Sequence, residues 1–133
     1  MKIRTALLIA AALFAPGKAT AFSNEDFCRD MQELARRVNF DKPAWVDREI
    51  RDDGMVVHCL QKTIEHRKFF NIDPVEIGRD WEQRLSARWS ADRCRERNLE
   101  AIRHGWRIVE ITRFPKTTRN PAGRELRAVA ACR

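Results

Sequence analysis

Four cysteines, Cys28, Cys59, Cys94 and Cys132, are spread almost evenly along a chain of 133 residues, with 30, 34 and 37 residues between successive members. No two are close enough for the paired spacing from which zinc sites are usually built, and no Cys-x-x-Cys is present to depress a thiol pKa. An even count of widely separated cysteines in an exported chain points to structural disulfides, here two. Export is itself legible. Residues 1–21 read MKIRTALLIAAALFAPGKATA, with Lys2 and Arg4 as a positive start, an apolar run from Ala6 to Ala15, and Ala19-Thr20-Ala21 as a small-x-small cleavage pattern. The apolar run is far shorter than the ~20 residues of a spanning helix. Residues 1–21 are therefore expected to be a cleaved signal peptide and residues 22–133 one disulfide-stapled domain, free in the periplasm or secreted. No transmembrane segment is expected after cleavage, and Phe22 holds the place where a lipid-bearing cysteine would stand.

The full chain is 44% hydrophobic and 34% charged, and the 112 residues left after cleavage suffice for one modest core but not for two. Ser23 is placed to cap a helix over Asn24 to about Val38, whose first turn holds Glu25 and Asp26 and whose apolar stripe is Phe27, Met31, Leu34 and Val38. From Ala44 to Phe70 the period is less clear. Asp52-Asp53-Gly54 reads as a hairpin turn, with Met55 to Leu60 and Thr63 to Phe70 as strands; a helix over Val56 to Arg67 is the alternative. Asp73-Pro74-Val75-Glu76 is a helix-start signal, followed by the stripe Ile77, Trp81, Leu85 and Trp89. Ser90 is positioned to cap a second helix, Ala91 to His104, that carries Cys94 and ends at Gly105. Trp106 to Phe114 and Arg124 to Cys132 read as strands joined by a polar loop with Asn120-Pro121-Ala122-Gly123 as its turn. In the last strand Leu126, Ala128, Ala130 and Cys132 share the inner face. The expected fold class is α+β, helices packed on an antiparallel sheet.

The order of elements contains a weak repeat, a helix followed by two strands with a cysteine near each end, occurring twice. Such a duplicated unit selects the pairs Cys28–Cys59 and Cys94–Cys132 among the three pairings that four cysteines allow.

The catalytic inventory is thin. Tyrosine is absent, serine occurs only at Ser23, Ser86 and Ser90, and neither Gly-x-Ser-x-Gly nor His-Glu-x-x-His is present. No catalytic residue, metal site or cofactor is assigned. One alternative enzyme reading is a small secreted phosphodiester hydrolase of ribonuclease type, with His58 and His66 on one strand face, Lys62 between them, and Glu65 and nearby arginines as acid, base and cation. Charge is more informative. Residues 22–78 carry nine basic and twelve acidic residues, whereas residues 79–133 carry fourteen basic and seven acidic ones. Arginine supplies 20 of the 26 cations, and its fork suits bidentate contact with carboxylate or phosphate. Lys116, Arg119 and Arg124, on and beside one polar loop, form the candidate binding cluster. The stripe Trp81, Leu85, Trp89 with Arg79, Arg84 and Arg88 fits either core packing or an anionic membrane surface; core packing is the simpler, because so small a chain must bury most of its tryptophans. An exported protein meets little nucleic acid, so the expected function is a non-enzymatic binding or accessory role toward an acidic protein or an anionic envelope component. No heptad pattern indicates an oligomeric state.

Overall fold

The structure is a computed structural model and describes residues 21–133; the expected signal, apart from Ala21, lies outside the described residues. Helix α1 spans Asn24–Val38 and begins as its sequence predicts, with the Ser23 hydroxyl accepting from the Asp26 amide at 3.2 Å. The chain then forms β1 (Ala44–Trp45), β2 (Ile50–His58) and β3 (Thr63–Phe70). A 3-10 turn at Pro74–Glu76 leads to α2 (Trp81–Arg93) and α3 (Glu96–Arg103), and β4 (Arg107–Phe114) and β5 (Arg124–Val129) complete the described chain. The strands lie in the order β1-β2-β3-β4-β5.

The α+β class holds, with one correction to the sheet: it is mixed. β3 and β4 run parallel, while the other neighbouring pairs are antiparallel. A parallel pair requires a long crossover, and α2 with α3 supplies it. Helix-strand-strand order recurs, as α1 before β2-β3 and α3 before β4-β5. Both disulfides pair as that order selects, Cys28 with Cys59 and Cys94 with Cys132, with Cα–Cα distances of 5.7 and 5.4 Å. The cysteines are not in equivalent places, however. Cys59 lies in the turn between β2 and β3, whereas Cys132 follows β5.

Residues 55–58 and 63–69 are strand, so the helical alternative is excluded there. The expected turn at Gly54 is a correction: β2 runs straight through it with a register shift between Asp52 and Gly54. The reversals occur elsewhere. Between β1 and β2 the Asp47 carboxylate accepts from the amides of Glu49 and Ile50, both at 2.7 Å, and between β2 and β3 the Lys62 amide donates to the Cys59 carbonyl at 3.1 Å. The helix boundaries also shift. Pro74–Glu76 makes only a 3-10 turn, and the expected cap residue Ser90 lies inside α2. Cys94 is the C-cap of α2 rather than part of the next helix. Gly105 has the positive φ expected of it, 91°.

The core lies between the helices and one face of the sheet, and contains Phe27, Met55, Ile64, Trp89, Ala101, Trp106 and Ile108. Burying a side chain such as Phe27 is worth roughly 1.5 to 3 kcal/mol. Phe27 meets Trp106 edge-on at 4.9 Å, and the Trp106 indole donates to Asn24 at 2.9 Å, so α1 is tied to the start of β4. Trp89 is buried and donates to the Ile108 carbonyl at 3.1 Å, while Trp81 packs on Phe114 at 5.3 Å. Of the α2 stripe, Trp89 is thus committed to the core, while Trp81 and Leu85 are half-buried at its margin.

Candidate functional site

Side chains alternate across a strand, so the residues opposite the core face form a second, helix-free face. Register aligns one row there across all five strands among the described residues: Trp45, Arg51, Phe69, Arg113 and Glu125. Arg51, Phe69, Arg113 and Glu125 of this row line a cleft of about 450 Å3, completed by Phe114 and by Pro115, Lys116, Ala122, Gly123 and Arg124 of the β4–β5 connection. The connection folds back on itself. Thr117 and Asn120 exchange backbone hydrogen bonds at 3.0 and 3.1 Å, and the Gly123 amide donates to the Asn120 carbonyl at 3.0 Å. Gly123 adopts φ 71°, a left-handed conformation that favours glycine and lets the connection turn back beside Lys116.

Arg51, Arg113 and Lys116 therefore gather with Glu125 around the Phe69 ring, while Phe114 and Arg124, one position out of that row, border the cleft and turn their side chains toward α2. Arg51 is held by Asp53, at 2.5 and 3.1 Å, and its guanidinium stacks 4.8 Å from the Phe69 ring and 5.7 Å from Trp45. The Asp53 hydrogen bond raises Arg51 above its ordinary pKa. Arg113 approaches Glu125 at 3.9 Å, and Arg124 pairs with Glu82 of α2. Lys116 has no carboxylate within salt-bridge distance among the described residues. Of the three cations predicted from sequence, Lys116 and Arg124 line the cleft, and Arg119 stands exposed on the loop outside it. Arg51 and Arg113 are the members that sequence reasoning missed. Their strand positions were legible, but not the register that brings β2 beside β3 and β3 beside β4.

The residues of the hydrolase reading separate. His58 and His66 do not share a face: the register sets His58 opposite Thr63, on the side of Glu65, and His66 opposite Met55, on the core side. His66 lies on the core side, edge-on to Trp89 at 5.1 Å. Lys62 lies in the turn and donates to the His104 carbonyl at 3.2 Å. On the helix-free face Glu65, 9% exposed, accepts from Arg67 at 2.7 and 3.1 Å, with Arg127 at 3.5 Å and His58 at 3.6 Å. Burial alone would raise the Glu65 carboxyl; the Arg67 hydrogen bonds and the charges of Arg67, His58 and Arg127 outweigh it and leave the pKa below the ordinary value. A carboxylate so fully engaged is a weak proton acceptor, and its role is to anchor the arginines around it.

No group of three or more His, Cys, Asp or Glu side chains among the described residues is arranged to hold a metal ion. None of the described helices is long and apolar enough to cross a membrane. The chain matches no protein-family model and no curated protein in sequence. Its fold is similar to the crystal structure of a "putative secreted protein" from Pseudomonas aeruginosa, with a TM-score of 0.54 at 14% identity, covering 80% of this chain and 94% of that one. The fold is shared; so low an identity carries no site residue across.

Proposed function

We propose that the protein is an exported, non-enzymatic binding or accessory protein that holds an anionic group of an acidic protein or envelope component in the basic cleft. The observation that carries this reading is the gathering of Arg51, Arg113 and Lys116, from two strands and a loop, around the Phe69 ring, with Arg124 at the border of the cleft. Arginines beside aromatic rings offer a carboxylate or phosphate a bidentate partner and an apolar wall together. Two disulfides and the resemblance to a "putative secreted protein" support an oxidising location outside the cytoplasm. Within that location the periplasm or the extracellular space is the expected compartment.

The test is capture by the oxidised protein of envelope and periplasmic proteins from its own source across a salt series. The wild type is compared with the variant Arg113→Ala/Lys116→Ala/Arg124→Ala. Retention of one protein in fixed proportion, weakened at least about tenfold in the variant, about 1.4 kcal/mol, with the melting temperature held within a few degrees, is the expected result. Unchanged capture by the variant overturns the cleft assignment. Recovery of only mixed anionic material, lost steeply as salt rises, overturns the specific-partner reading.

A further inference from the structure

The two edges of the sheet are finished differently. At one edge β1 covers only Arg51 and Asp52 of β2, and the Asn39 side chain covers the next position by accepting from the Met55 amide at 2.8 Å and donating to the Met55 carbonyl at 2.7 Å. That edge is blunted. At the other edge the Ala130 amide donates inward to the Ile108 carbonyl at 2.9 Å, so even-numbered residues of β5 point their backbone groups toward β4 and odd-numbered ones point outward. Ala131 donates outward to the Ser90 hydroxyl at 3.0 Å, and among the described residues nothing equivalent covers Glu125, Arg127 or Val129. An open edge of this length is a template for another strand.

We propose that this edge is the dimer interface of the protein, β5 pairing antiparallel with β5 of a second copy about a two-fold axis through Leu126. The charges select that register. With Leu126 on the axis, Glu125 of each copy lies opposite Arg127 of the other, and both residues have their backbone groups aimed outward, so each pair closes a hydrogen-bonded ring. A shift that places Arg127 on the axis sets like charges directly opposite each other. The row Arg51, Phe69, Arg113, Glu125 then continues onto Arg127 of the second copy, alternating in sign at the junction. On the helix side of the edge a groove of about 280 Å3 lies between α2 and β5, lined by Leu85, Ser86, Leu126 and Ala128. The chosen register brings two Leu126 side chains together beside that groove and covers its apolar wall. An isologous contact of this kind closes on itself and forms no fibre.

Sedimentation velocity of the oxidised protein over a concentration series tests the proposal. The wild type is expected to move reversibly between monomer and dimer mass. Glu125→Arg, whose partners within the chain are only exposed ion pairs, should raise the dimer dissociation constant at least about tenfold without moving the melting temperature, because it sets Arg against Arg. Arg127→Glu should weaken the dimer likewise, with some loss of melting temperature because it sets a carboxylate beside the buried Glu65. The combined exchange Glu125→Arg/Arg127→Glu should bring dimerisation back to within a few-fold of wild type. A wild type that stays monomeric throughout, a Glu125→Arg variant that dimerises like wild type, or a combined exchange as weak as either single change overturns the proposal. Capture of the anionic partner is a separate measurement, so failure of the dimer and failure of the cleft are distinguishable.

Discussion

His66 sits where an ionised imidazole is least welcome. Burial, reinforced by the positive charge of Arg93 and opposed by Asp52, pushes its pKa down from 6.5 to about 4, so it is neutral at pH 7. Arg93 itself lies over the Trp89 ring at 4.4 Å, and its buried Nε has no hydrogen-bond partner among the described residues. The consequence for stability follows from linkage. Between pH 6.5 and about 4 the unfolded chain takes up a proton that the folded chain refuses, so stability falls as the solution is acidified through this window. At full effect this one group accounts for about 3 kcal/mol at most. Glu65, whose folded pKa lies below the ordinary value, adds a loss in the same direction at lower pH. Urea unfolding at pH 7 and pH 4.5 is expected to show a clear acid loss in the wild type and a smaller one in His66→Leu; equal losses in both would show that His66 is not responsible. Sequence pattern alone misplaces His66, because its face depends on where β2 turns into β3.

At the scale of elements, the bulge in β2 shows how a strong local signal is overridden. Asp-Asp-Gly is good hairpin chemistry, yet the strand continues, because Asp52 accepts from the Gly54 amide at 2.8 Å and Asn39 pairs with Met55 across the edge. Gly54 holds φ 92°, and a Cβ there would lie 2.4 Å from Asn39 Oδ1. Gly54→Ala is accordingly expected to cost about 2 to 3 kcal/mol, read as a lower denaturation midpoint at unchanged slope. A loss below about 0.5 kcal/mol would mean that the bulge is not strained by a side chain. Helix α1 was legible to its cap, because its signals lie within one or two turns of each other: Ser23, Glu25, Asp26 and the stripe from Phe27. The break between α2 and α3 falls later than the sequence signals predict. Ser90 has the residue type of a cap, but its hydroxyl is used from inside α2 to accept from Ala131. Nothing in the neighbourhood of Ser90 reveals a partner 41 residues away.

For the molecule as a whole, the two disulfides carry much of the stability that a core of this size leaves short. They close loops with sequence separations of 31 and 38 residues, each worth roughly 3 to 4 kcal/mol in the chain-entropy picture. Cys28–Cys59 ties α1 to the β2–β3 turn, and Cys94–Cys132 ties the end of α2 to the segment after β5. Denatured without reductant, the exported protein is expected to show no titratable thiol, and two or more would reject the pairing. Cys28→Ser/Cys59→Ser should lower unfolding free energy by about 3 kcal/mol, and an unchanged value would show that α1 needs no tether. A β5-to-β5 dimer would set two basic clefts on the same face of one continuous sheet, giving a ligand with two anionic groups a second foothold.

Export, the disulfide count, α1, the strand character of β4 and β5 and the basic second half all follow from patterns within a few turns or from composition, where neighbours in sequence are neighbours in space. The order of strands, the parallel β3–β4 pair, the separation of His58 from His66 and the meeting of Arg51 with Arg113 depend on register between strands far apart in the chain. Register is set by which faces can be buried together, and that is a property of the folded core that no short stretch of residues contains.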